Sequence, residues 1–120
     1  MFQRIADLCQ PAIQLIKGII LILDQDGRII SFNQFFESAT GYSYPQLIQK
    51  NGFQLLLPEK ERGSAKRYFR RFILRGKAPS NIVVRIITCT GKARFIEWHY
   101  KRLKDDASGD VIGLLAIGQD

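Results

Sequence analysis

The chain has 120 residues, a net charge of +7 and only two cysteines. That length suits one domain with a core large enough to need no staple. Two cysteines are no disulfide framework, so Cys9 and Cys89 read as reduced, buried thiols of a cytoplasmic protein. The longest apolar run, Ile19 to Leu23, falls far short of the ~20 residues that cross a bilayer. Arg4, Asp7, Gln10, Pro11 and Lys17 interrupt the N-terminus too often for a signal peptide.

Residues 1–17 carry Phe2, Ile5, Leu8, Cys9, Ile13 and Ile16 at three- and four-residue spacing, which predicts an amphipathic helix. Pro11 kinks it or restarts it after Gln10. Residues 18–25 and 28–33 then read as two strands joined at Asp26-Gly27, a pair suited to the positive φ angles of a type I′ turn. A helix of one or two turns is expected from Gln34 to Thr40, closed by Gly41. Asn33 stands before it, either as its N-cap or as a hydrogen-bonding group turned to a ligand. Ser43 to Gln49 holds another turn of helix, and Asn51-Gly52 reads as a break.

Pro58 to Arg75 is the main helix. Pro58 opens it, Glu59 and Glu61 lie in its first turn, and Arg75 and Gly76 stand at its end, an order that matches the helix dipole. Its apolar stripe is Ala65, Tyr68, Phe69, Phe72 and Ile73. Eight basic and two acidic residues fall between Glu59 and Lys77. This charge fits either a solvated outer face or a surface for nucleic acid or an acidic protein partner. The aromatic residues fall on the buried stripe rather than among the cations, which argues against nucleic acid.

Three strands follow: Ser80 to Thr88, Lys92 to Leu103 after Thr90-Gly91, and Val111 to Gly118 after a polar loop. Ile82 to Thr88 and Val111 to Ile117 are apolar on both parities, so both faces of the sheet need cover. Helices of the middle segment cover one. The N-terminal helix is the expected cover of the other, and a second copy of the domain the next candidate. In the strand Lys92 to Leu103, alternation sets Ile96, Trp98 and Tyr100 against Glu97, His99 and Lys101.

The segment Leu23-Asp-Gln-Asp-Gly-Arg-Ile-Ile-Ser-Phe-Asn33, followed by Gly41-Tyr42, resembles the start of a PAS domain. So does the rest of the order: a long helix, a three-strand meander with the aromatic pattern Ile96-Glu-Trp98, and the ending Ile112 to Asp120. The resemblance covers residues 18–120, with 1–17 as a capping or dimerisation helix through Phe2, Ile5, Leu8 and Ile13. It implies an α+β fold: a five-stranded antiparallel sheet with short helices and one long helix on one face. In the family the last Asp often opens a motif at the junction with an output helix. The chain is therefore expected to be a domain excised from a larger signalling protein, such as a histidine kinase, diguanylate cyclase or phosphodiesterase.

Such domains bind small ligands in the cleft between helices and sheet, or dimerise, and pass a change to an attached output. Candidate pocket residues here are Asn33, Phe36, Leu55, Phe72, Ile86 and Trp98, each with a core-packing reading beside the ligand-facing one. A cysteinyl–flavin adduct is not expected, since neither cysteine stands in an Asn-Cys-Arg-type helix. Haem is not expected either, because the long helix has no histidine and His99 faces away from the Trp98 side. A flavin or small organic ligand, or no ligand, remains. No metal set, phosphate loop, or nucleophile with its base is present, so the domain is read as a non-enzymatic sensor that forms a homodimer and inserts in no membrane.

Overall fold

A computed structural model describes residues 18–76 and 82–120. The expected helix over 1–17, with Phe2, Ile5, Leu8, Cys9 and Ile13, lies outside the described residues, as does the start of the strand expected from Ser80.

Five strands form one antiparallel sheet: β1 (Ile19–Asp24), β2 (Ile29–Phe32), β3 (Ile82–Ile87), β4 (Ala93–Lys104) and β5 (Val111–Gln119). Their order is β2-β1-β5-β4-β3. The first strand therefore pairs with the last, Ile19 opposite Gly118 and Leu23 opposite Leu114. Between β2 and β3 the chain forms α1 (Gln34–Thr40), α2 (Tyr44–Leu47), α3 (Gly52–Leu56) and α4 (Glu59–Arg75). The helical segment thus joins opposite edges of the sheet, and its apolar side chains pack on one face.

That face carries Ile19, Leu21, Leu23, Ile29, Phe32, Leu114, Ala116, Ile96, Trp98 and Ile86, joined to Phe36, Leu47, Leu56 and Phe72 from the helices. A second cluster, Ile20 and Ile22 with Ile30, Leu103 and Leu115, lies on the opposite face. The two parities of β1 thus serve two apolar clusters, which is why Ile19 to Leu23 reads as an unbroken run. Val83 and Phe95 remain 61% and 60% exposed.

Several expectations change. The first hairpin does not use a type I′ turn: Gly27 alone has positive φ (84°), not Asp26. Gly27 N–H donates to Asp24 C=O, and the Asp24 carboxylate accepts from the N–H groups of Asp26 and Arg28. The loop is therefore a turn ending in a left-handed glycine, and β1 slips register between Ile22 and Leu23. Asn51-Gly52 is no break either. The Asn51 side chain accepts from Phe53 and Gln54 N–H groups and starts α3. Cys89 is exposed rather than buried. It sits in the turn after β3, and its Sγ donates to Gly41 C=O at 3.1 Å.

Candidate ligand cavity

The stripe expected on α4 is present, yet among its residues only Phe72 is fully buried. Ala65, Tyr68 and Phe69 stop short of the sheet because a cavity of about 720 Å³ lies beneath them. Its floor is Leu21 and Leu23 of β1, Leu114 and Ala116 of β5, Trp98 and Tyr100 of β4, and Ile82 to Ile86 of β3, with Phe95 of β4 beside them. Its roof is Phe53, Leu56 and Leu57 around α3 with the stripe of α4. That volume is typical of small-molecule sites.

Two aromatic contacts shape the walls. Phe53 meets Phe69 edge to face, with centroids 5.2 Å apart, and holds α3 against α4. Tyr100 lies nearly parallel to Trp98 at 6.4 Å and contacts Phe72 at 6.0 Å. Gly118 makes room for this packing: a Cβ there would come within 2.7 Å of the Trp98 ring.

Polar groups are few. Arg85 and Glu61 form an ion pair at 3.2 Å, each with nearly half its side chain exposed, and so mark the rim. Away from solvent, the Tyr68 hydroxyl is buried and has no hydrogen-bond partner among the described residues. Burial raises its pKa. The Tyr100 phenol is pushed up further, by burial first and by the nearby Tyr68 second.

Of the six pocket candidates, Phe72, Ile86 and Trp98 line the cavity. Phe36 is wholly buried against Phe32, away from it, and Leu55 packs at the edge of the core without lining the cavity. Asn33 is occupied elsewhere. Its Oδ1 accepts from Phe36 and Ile20 N–H groups at 3.1 Å, and its Nδ2 donates to Gly18 C=O. It caps α1 and ties it to β1. The sequence offers Tyr68 only as part of the apolar stripe and Tyr100 only as a companion of Trp98 on one face, and it marks none of the β1 and β5 residues as lining a cavity. The available signal was Tyr68 standing two helical turns beyond Glu61 on one stripe.

The lining tests the fold's common cofactors. No histidine or cysteine lines the cavity among the described residues. His99 points from the other face of β4, half exposed beside Glu97, so it offers no axial ligand inside. Cys89 is held at Gly41 and offers no thiol to a flavin there. Among the described residues no group of three metal-ligating side chains exists, and no helix is long and apolar enough to cross a membrane.

A long amphipathic helix lying over a five-stranded antiparallel sheet, with an apolar cleft between them, defines a sensory-module architecture. The PAS domain family model matches residues 17–120, and the chain belongs to that family. Among solved structures, the PAS domain of the Cronobacter turicensis RpfR quorum-sensing receptor, in complex with C12:0, is 27% identical. It covers 88% of this chain and 94% of its own, with a TM-score of 0.73. A PAS domain from Colwellia psychrerythraea is 22% identical with a TM-score of 0.77, over 97% and 96% of the two chains. A domain of a sensory box sensor histidine kinase/response regulator from Geobacter sulfurreducens is 20% identical with a TM-score of 0.74, over 96% and 93%. The last two likenesses are of fold. No curated protein matches the chain.

Proposed function

We propose that this PAS domain is a sensor for an elongated, mostly apolar small molecule, held in the cavity between α4 and the sheet. The observation that carries the reading is the cavity itself. It has the volume of a drug-sized ligand, walls of Leu, Phe and Trp, and, among the described residues, a single cation, Arg85, already paired with Glu61. Burial of an alkyl chain there contributes roughly 0.8 kcal/mol per CH₂. The C12:0 bound by the similar Cronobacter domain supports the same ligand class.

Occupancy pushes α3 and α4 away from β3, β4 and β5, and the strain passes along β5 towards Asp120. There the Asp120 carboxylate pairs with Arg94, whose guanidinium also donates to Ala39 C=O at the end of α1. An output domain attached beyond this point would read the change. The domain acts without chemistry of its own, as a homodimer. The exposed Ile117, paired with Ile20 of the second apolar cluster, supports an interface on that face of the sheet.

Native mass spectrometry with added dodecanoate tests this. A one-to-one adduct lost on denaturation is expected, and a Leu114→Trp variant, which fills the cavity, should not form it. Equal adduct formation by both proteins would defeat the proposal.

A further inference from the structure

The outer surface of α4 is strongly basic. From Lys66 to Arg75, a rise of about 14 Å, the helix carries Lys66, Arg67, Arg70, Arg71 and Arg75 and no acidic residue. All five cations are exposed, and none forms an ion pair among the described residues. The acidic residues of α4, Glu59 and Glu61, stand in its first turn, and Glu61 is paired with Arg85. Opposite charges four residues apart stabilise a helix surface. Here Lys66–Arg70, Arg67–Arg71 and Arg71–Arg75 set like charges at that spacing, which destabilises it. Salt only screens the repulsion; an anionic partner neutralises it.

A second observation gives the kind of partner. Leu74 is 72% exposed. At about 100° per residue, the five cations span half the circumference of α4, and Leu74 falls near the middle of that arc. The cavity-lining Ala65, Phe69 and Phe72 lie opposite. A leucine ringed by cations suits a surface with anionic groups outside and hydrocarbon beneath, as in a bilayer containing anionic lipid. The cations meet the headgroups while Leu74 reaches the hydrocarbon boundary. Single-stranded nucleic acid would stack on aromatic rings, and those of α4 line the cavity on its other side. An acidic protein would account for the cations alone.

We infer that the outer face of α4, through these five cations and Leu74, docks the domain on an anionic lipid surface. The domain lies on the bilayer and does not cross it. Because α4 is also the roof of the cavity, docking sets that roof against the phase in which apolar molecules dissolve. The docking itself does not require the cavity to be a ligand site.

The probe is a vesicle of equal parts phosphatidylglycerol and phosphatidylcholine, sedimented with the full chain. The wild type should sediment with it at about 50 mM salt and be released at about 500 mM, where screening is short-ranged. Vesicles of phosphatidylcholine alone should not carry it down. A basic residue at an anionic membrane contributes about fivefold in affinity, so Arg70→Gln combined with Arg71→Gln should weaken binding about thirtyfold. Leu74→Ser leaves the charge unchanged and should weaken binding about tenfold. The Tm of the double variant should equal or exceed that of the wild type, since like-charge pairs are removed, and this separates lost docking from lost folding. No sedimentation with the anionic vesicles at low salt would overturn the inference. So would equal binding by the wild type and the double variant, or tighter binding to a short DNA duplex or to poly-L-glutamate than to the vesicles. Any of these failures would leave the cavity reading standing.

Discussion

Replacing Asn33 with alanine should be among the most damaging single changes in the domain, although no ligand is involved. Three hydrogen bonds go at once: Phe36 N–H to Oδ1, Ile20 N–H to Oδ1, and Nδ2 to Gly18 C=O. Loss of the cap on α1 costs about 1 kcal/mol. The Ile20 N–H is buried, and stripping its partner costs a further ~1–3 kcal/mol. The Gly18 carbonyl is only partly buried, so water replaces part of that bond. The sum is about 3 kcal/mol, which for a domain of this size lowers Tm by roughly 10 °C. Asn33→Asp keeps the acceptor but loses the donor to Gly18 and buries a charge, so at neutral pH it should fall at least as far. Thermal unfolding followed by circular dichroism measures both. A loss below about 3 °C for Asn33→Ala would refute the reasoning, because it would mean that the three bonds are not replacing lost hydration.

Further outcomes follow from other residues. Gly118→Ala places a methyl group within 2.7 Å of both Ile96 and Trp98. Overpacking of that kind costs about 1–3 kcal/mol, and the emission of Trp98 should shift even at temperatures where the variant is folded. Glu61→Gln breaks the ion pair with Arg85, but both partners are nearly half exposed. Chemical denaturation should show less than about 1 kcal/mol of change. Tyr68 and Tyr100 hold their protons in the folded state beyond the pH near 10 at which an unfolded tyrosine loses its own. The unfolded chain therefore releases protons first, and stability should be intact below pH 10 and decline above it. In Tyr100→Phe this decline should be shallower.

Much of the fold is legible in the sequence because its signals are local. Pro58, the two glutamates and Gly76 bracket α4 by capping and dipole rules that need no tertiary partner. The stretch Ile19 to Leu23 announces a strand buried on both faces. The errors have local causes too. Asp26-Gly27 marks a hairpin, but the Asp24 carboxylate binds two N–H groups of the loop. That stabilises a longer turn in which only the glycine needs positive φ. Asn51-Gly52 looks like a break until the Asn51 side chain is seen capping α3. Cys89 packs against nothing that its sequence neighbours reveal, since its partner, Gly41, lies 48 positions earlier.

The cavity was harder to read. A sequence shows that Tyr68, Phe69 and Phe72 share a stripe, but not whether the stripe reaches the sheet or stops above a void. Phe36 and Phe72 have the same chemistry and nearly the same pattern. Only the topology separates them, sending one into the packed end beside Phe32 and the other over the cavity. Asn33 was open to both a capping and a ligand reading because strand, cap and helix meet there, and its three backbone partners answer for the side chain.

The central claim is that a ligand enters between α4 and the sheet. It is tested most directly by two-dimensional NMR of the uniformly ¹⁵N-labelled domain titrated with dodecanoate. The account predicts saturable shifts of the Trp98 indole N–H and of the amides around Leu56, Phe69, Phe72 and Leu114, with the α1 amides nearly still. An unchanged spectrum at saturating dodecanoate, or shifts confined to Ile20, Ile22, Ile30, Leu103 and Leu115 on the opposite face, would contradict it.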